Sequence, residues 1–275
     1  MGSPIRALCR LVAYLGWTLA ALPLQVVALV FSSNYRRRIP PFYHRISCRI
    51  LGLDVRVLGT PSRSHPVLFV VNHSSYLDIS VLGSILEASF VAKSEVKDWP
   101  FFGLLAKLQR TVFVDRAVRS TAGQRDAIVA RLEAGDDLIL FPEGTSSDGN
   151  RVLPFKSALL SCAETSIGGR AVTVQPVSVA YTRLDGMPLG RNLRPFYAWY
   201  GDMDLISHIW HALGLGNVTV EVNFHPATSV AEHGNRKALT RYCERAVIAG
   251  VAASLSGRAG GGLPSVPAIS AGGVT

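Results

Sequence analysis

The segment Asn72-His73-Ser74-Ser75-Tyr76-Leu77-Asp78 places an imidazole and a carboxyl with four residues between them, directly after the apolar run 67–71. Neutral imidazole titrates near neutrality and can take the proton of an attacking hydroxyl. A carboxylate on its other ring nitrogen would fix the tautomer and stabilise the imidazolium that forms. Asp78 can reach back to do this across a strand-to-helix turn. The spacing Ser75-x-x-Asp78 equally fits a helix capping box, in which Asp78 bonds backbone amides. Phe113-Val114-Asp115-Arg116 closes another apolar run, and Arg116 offers a bidentate fork to a phosphate or pairs with Asp115 beside it. Lys93, ending Phe90-Val91-Ala92-Lys93, is a second cation for the same anion, or a solvated lysine. In Leu140-Phe141-Pro142-Glu143-Gly144-Thr145, Gly144 lets the backbone approach a ligand, and Glu143 or Thr145 can bond an acceptor hydroxyl. The same tetrad also reads as an ordinary turn.

Other patterns lack their partners. Ser94-x-x-Lys97 stands without the companion motifs of a β-lactamase-like dyad, and His208-x-x-His211 has no third metal ligand at suitable spacing. There is no G-x-S-x-G elbow, P-loop or dinucleotide fingerprint. With no obvious nucleophile, direct attack by an acceptor is favoured over a covalent intermediate, and neither metal nor cofactor is expected.

Residues of this kind act together only if strands end where they begin, since open α/β sheets bind ligands beyond the carboxyl ends of their strands. Apolar, β-rich runs occur at 67–71, 89–92, 111–114, 137–141, 173–181 and 217–224. Helical stretches at 76–86, 99–108, 120–133, 156–166, 203–213 and 230–255 fill the gaps. The alternation predicts an α/β domain over residues 57–255, with a largely parallel central sheet flanked by helices. Residues 256–275, rich in Gly, Ala, Ser and Pro, read as a disordered tail.

Residues 1–56 differ in character and are expected to form a helical membrane anchor. The chain is 48% hydrophobic with a mean hydropathy of +0.27. Of its net charge of +9, +7 lies in these residues, as eight arginines against Asp54. Arginines crowded around an apolar segment suit anionic lipid headgroups, whereas a nucleic-acid binder spreads them over a folded face. Residues 11–31 carry no charge and would measure about 31 Å as a helix. That exceeds the ~7–15-residue apolar region of a signal peptide, and no Ala-x-Ala cleavage site follows. The expectation is a retained segment that spans the membrane or re-enters it, completed in the second case by residues 42–51. Arg36-Arg37-Arg38 then places the main domain on the cytoplasmic face of the inner membrane. The four cysteines (9, 48, 162, 243) form no C-x-x-C pair and suit a reduced compartment.

Taken in order, the blocks resemble those of the lysophosphatidic acid acyltransferase family, bacterial glycerolipid acyltransferase type, over roughly residues 67–179. Asn72-His73-x4-Asp78 is similar to the family's first block, Phe113-x-x-Arg116 to its second, and Phe141-Pro142-Glu143-Gly144-Thr145 to its third. Val174-Gln175-Pro176-Val177 resembles the fourth, and Ala92-Lys93-Ser94-Glu95 with Trp99-Pro100-Phe101-Phe102-Gly103 is also similar. The resemblance implies a catalytic dyad of His73 and Asp78. It implies Arg116 and Lys93 on the acceptor's anionic headgroup, and Asn72, Glu143, Gly144 and Thr145 on the substrate side. The implied donor is acyl-CoA or acyl carrier protein, and the implied acceptor is the lysophospholipid 1-acyl-glycerol-3-phosphate, giving phosphatidic acid beside membrane lipid. One departure bears on that acceptor. Many members follow the third block's Thr with Arg, whereas this chain reads Thr145-Ser146-Ser147-Asp148. A cation is lost and an anion gained, so a lysolipid with another headgroup, such as lyso-ornithine lipid, is the alternative. A non-catalytic membrane-anchored binding protein is the second alternative. Residues 197–203 look like a subgroup feature.

Overall fold

The computed structural model describes residues 2–31, 35–114 and 121–259. Two helices lead, α1 (Pro4–Phe31) and α2 (Tyr35–Leu51), followed by β1 (Leu53–Leu58), β2 (Val67–Val71), α3 (Leu77–Ile85) and β3 (Ala88–Lys93). A 3-10 segment, Ser94–Asp98, precedes α4 (Phe102–Leu108), β4 (Val112–Val114), α5 (Thr121–Glu133) and β5 (Asp137–Leu140). Beyond a second 3-10 segment, Ser157–Glu164, come β6 (Ser166–Ile167), β7 (Arg170–Ala171), β8 (Thr173–Leu184) and β9 (Met187–Pro188). The chain closes with α6 (Leu205–Gly214), β10 (Val218–Phe224), α7 (Val230–His233) and α8 (Arg236–Leu255).

The main sheet runs β1-β10-β8-β2-β5-β3-β4, with β9 folded back on β8. Along that path every neighbour is parallel except the β8–β10 pair, as the alternating sequence pattern predicts. The central strand β2 is an unbroken Val-Leu-Phe-Val-Val run, buried throughout, as a parallel strand covered on both faces must be. Val67, Phe69 and Val71 pack with Val81 and Leu82 of α3, while Leu68 and Val70 pack with Leu132 of α5 and Leu239 and Val247 of α8. Two cores therefore flank one sheet, and β2 delivers residue 72 to its carboxyl edge.

Four expected elements differ. The helix expected over 230–255 breaks into α7 and α8 because Gly234 takes φ +76° and Asn235 caps the restart, its Oδ1 accepting from the Ala238 amide at 2.9 Å. The stretch 156–166 forms the tighter 3-10 segment instead of an α-helix. Strand β8 continues past residue 181 to Leu184, alongside β10. The boundary expected at residue 56 falls inside β1, which pairs in parallel with β10 at the sheet edge. Of the expected tail, residues 260–275 lie outside the described residues.

Helix α1 is long and apolar enough to cross a membrane, and it is also tied to the domain at three points. Arg10 Nη1 donates to the carbonyls of Leu213 (3.2 Å), Leu215 (2.8 Å) and Gly216 (3.3 Å), at the C-terminal end of α6 where a cation is favoured. Trp17 Nε1 donates to the Tyr43 carbonyl of α2 at 3.2 Å, and Gln25 Nε2 to the Leu108 carbonyl of α4 at 2.8 Å. The opposite side leaves Ile5, Leu8, Val12, Leu19, Val30 and Phe31 exposed.

Candidate active site

At the end of β2 the Asn72 amide replaces a strand pair. Its Nδ2 donates to the Val179 carbonyl at 2.9 Å and its Oδ1 accepts from the Val179 amide at 2.8 Å, clamping the chain to β8. Both functional atoms of Asn72 are thereby used on backbone. The turn that follows is held from three sides. The His73 amide donates to Glu143 Oε1 (2.8 Å), the His73 carbonyl accepts from the Ser147 amide (2.9 Å), and the Ser74 carbonyl accepts from the Trp199 amide (2.8 Å).

Within this turn the His73 and Asp78 side chains meet, with Nδ1 at 2.9 Å from Oδ2. Asp78 Oδ2 also accepts the Ser74 and Ser75 amides at 2.8 and 2.9 Å, so the dyad and the backbone-bonding readings of this carboxyl hold together. Its Oδ1 accepts from the Tyr181 hydroxyl at 2.8 Å. Burial and the Asp78 charge push the Tyr181 phenol well above its usual range, so it remains a donor. A carboxylate only accepts, so Nδ1 of His73 carries the proton and Nε2 keeps its lone pair. The ring stacks on Phe141, centroids 4.2 Å apart, and lines a cavity of about 580 Å³. An oriented imidazole, partly exposed and backed by a fully buried carboxylate, can act as a general base.

Glu143 lies behind this turn and not in the cavity wall. Its two carboxyl oxygens accept the amides of His73 (2.8 Å) and Leu153 (3.0 Å), and it is 2% exposed. Burial pushes its pKa up to about 8, although the two amides pull the other way. Glu143 serves the backbone that carries His73, where an acceptor hydroxyl was expected as its partner, because both oxygens are already taken. Gly144 and Thr145 do line the cavity, as does Lys93 at the end of β3, where its side chain is exposed. Arg116 lies outside the described residues. Arg125 of α5, which the sequence did not single out, also lines the cavity, and its Nη2 donates to Thr165 Oγ1 at 3.1 Å.

The departure after Thr145 has a structural use. Ser146 Oγ donates to the Trp199 carbonyl at 2.5 Å, and Trp199 packs edge-on against Trp99 with centroids 5.8 Å apart. Residues 197–201 thus form a strap over the site, bonded to the His73 turn on one side and to the third block on the other. Asp148 turns toward Asn150, whose amide and Nδ2 donate to it at 3.1 and 3.3 Å, and Asn150 Oδ1 accepts from Arg194 at 2.8 Å. Its charge does not enter the cavity wall. No group of three or more metal-ligating side chains occurs among the described residues.

A sequence model of the acyltransferase family matches residues 54–180. The lyso-ornithine lipid O-acyltransferase of Brucella abortus is 45% identical over 92% of this chain and 97% of its own. The chain belongs to the acyltransferase family. A second lyso-ornithine lipid O-acyltransferase, from Rhizobium meliloti, is 44% identical over 82% of this chain and 78% of its own. The 1-acyl-sn-glycerol-3-phosphate acyltransferase of Neisseria gonorrhoeae is 33% identical over 74% and 75%. The acyltransferase also shares its fold with the crystal structure of PlsC, the 1-acyl-sn-glycerophosphate acyltransferase of Thermotoga maritima. The TM-score is 0.55 at 22% identity, over 88% of this chain and 96% of that one. The apolar N-terminal helix of the acyltransferase suggests association with a membrane.

Proposed function

We propose that this acyltransferase moves a fatty acyl group from a thioester to the free hydroxyl of lyso-ornithine lipid, with His73 as general base. One observation carries the choice of acceptor: the 45% identity to the Brucella protein extends over nearly the whole of both chains. The site agrees with it. An ornithine headgroup carries one carboxylate and one ammonium, where a phosphate monoester carries up to two negative charges, and Ser146 stands where the resemblance to the family leads one to expect an arginine. Lys93 at the cavity edge suits such a carboxylate, with Arg116 as its partner. Acylation of 1-acyl-glycerol-3-phosphate, the reading first suggested by the motifs, is the second reading, favoured by the 33% identity to the Neisseria enzyme.

In this reaction His73 Nε2 takes the proton as the acceptor oxygen attacks the thioester carbonyl. Asp78 holds Nδ1–H and stabilises the imidazolium, and the C–S bond breaks as the proton passes to the leaving thiolate. Acyl-CoA or acyl carrier protein supplies the thioester. The apolar cavity beside His73 takes an acyl chain. Helix α1 lies along the membrane interface with its exposed apolar side in lipid, on the cytoplasmic face of the inner membrane. The test is an acceptor screen with purified protein and one labelled acyl thioester. Transfer to lyso-ornithine lipid at least tenfold faster than to lysophosphatidic acid is expected; the reverse order would establish the second reading.

A further inference from the structure

The cavity changes character along its length. Beside His73 its wall is aromatic, with Phe141 stacked on the imidazole and Phe90 stacked on Phe141. Three polar side chains, Gln25 of α1, His44 of α2 and Gln109 just past α4, line the same space. They lie at the other edge of the sheet. Gln109 also lines a small cleft with Ala88 and Asp137, the first residues of β3 and β5, whereas His73 follows the last residue of the parallel strand β2. The separation is about one strand length, ~17 Å.

Each of the three side chains has an atom without a partner: Gln25 Oε1, His44 Nδ1 and Gln109 Nε2 are all buried and unbonded. The arrangement is held in place. Gln25 Nε2 is fixed by the Leu108 and Arg36 carbonyls at 2.8 and 3.3 Å, which orients Oε1. Gly83 of α3 makes room for the His44 ring, since a Cβ there would sit 2.5 Å from its Cδ2. Burial lowers the His44 pKa to about 4 against the opposing pull of a side-chain hydrogen bond with Gln109, so the ring is neutral, with one donor and one acceptor nitrogen. Gln25 and His44 are 7% and 6% exposed, so bulk water does not solvate them. Buried polar atoms left unpaired are costly, and three around one space mark a place for a polar group.

We propose that this end of the cavity is a subsite for an uncharged hydroxyl borne on the distal part of a fatty acyl chain. A hydroxyl matches the set, donating to Gln25 Oε1 and accepting from Gln109 Nε2, with His44 as a third partner. The three partners are themselves uncharged, and the nearby guanidinium groups of Arg37, Arg110 and Arg131 are committed to Asp136. The inference rests on the acyl-transfer reading for the identity of the chain, which belongs either to the donor or to the acceptor.

Binding of unreactive ligands tests it. The full chain in detergent is titrated with S-alkyl-CoA thioethers, plain or with one hydroxyl walked along the distal half, and with lysolipids carrying the same series. The expected result is one hydroxyl position, in one of the two series, that tightens Kd at least tenfold over the plain chain. Gln109→Met and His44→Phe should each erase that preference. Plain chains that bind as well as every hydroxylated isomer in both series would overturn the proposal and assign the three groups to ordered water. Should a variant fail to fold, the wild-type series still decides. Thioethers bind without reacting, so a lack of turnover in the acceptor screen would sink the catalytic reading and leave this measurement intact.

Discussion

Asp78 accepts four donors, two backbone amides, the Tyr181 hydroxyl and His73 Nδ1, so its position is over-determined and the imidazole inherits that order. Removing the proposed base is therefore the cleanest perturbation. His73→Ala should lower kcat by about 10²–10⁴-fold with the fold intact, measured by labelled acyl transfer beside a circular dichroism melt. Tyr181→Phe removes one hydrogen bond to a buried charge. It should cost about 1.5–3 kcal/mol of stability and reduce kcat less than His73→Ala does, because the other three donors remain. Glu143 makes a separate prediction through pH. Its pKa in the folded state is about 8 against an ordinary value of 4.5, so between these values the folded chain holds a proton that the unfolded chain has released. Stability then falls as pH rises through that window, by at most about 1.4 kcal/mol per pH unit from this one group. Glu143→Gln lacks the titration, and calorimetric melts at pH 5, 6.5 and 8 should show a flatter dependence than wild type. Equal slopes would mean that the carboxyl is ionised throughout.

At the scale of elements, the clamp between α1 and α6 is the contact that turns an apolar N-terminal segment into part of the catalytic body. Arg10→Ala removes donors to three carbonyls at the α6 end, and hydrogen exchange should rise at residues 212–217 and along the first turns of α1, while the β2 core stays protected. The same clamp shows why some of the fold was legible in the sequence and some was not. An apolar strand such as β2 announces itself because both of its faces are buried, and His73 at its end follows from the rule for open sheets. β1 does not announce itself. As an edge strand it alternates buried Leu53 with exposed Asp54 and Arg56, and it follows an arginine-rich helix that hides the change of structure. The strap at residues 197–201 acts largely through main-chain atoms of Trp199, which bond Ser74 and Ser146 and leave no mark in side-chain type. Asn72 and Glu143 were picked out as residues near the chemistry, but the backbone partners that place them against the His73 turn and β8 lie 70 and 107 residues away and depend on how β2 meets β8 and β5.

For the whole molecule the N-terminal arginines divide into two sets. Arg10 holds α6, Arg37 pairs with Asp136 at 2.7 Å, Arg45 Nε donates to the Ser84 carbonyl at 2.9 Å, Arg56 pairs with Asp54 at 3.2 Å and Arg36 is half-buried, whereas Arg6, Arg38 and Arg49 are exposed. Charge alone therefore overstates the electrostatic attraction to lipid, and the exposed apolar side of α1 must supply much of the affinity. The two contributions separate by salt, because the screening length falls from about 10 Å at 0.1 M to about 3 Å at 1 M while apolar burial persists. Sedimentation with vesicles containing anionic lipid should show partial loss of binding at high salt and a residual fraction that neutral vesicles also retain. Leu8→Glu with Leu19→Glu, on the exposed side of α1, should abolish that residual fraction without moving the melting temperature, since neither side chain is buried. Binding that vanishes entirely at high salt in wild type would place the burden on the arginines and leave the apolar side of α1 facing something other than lipid.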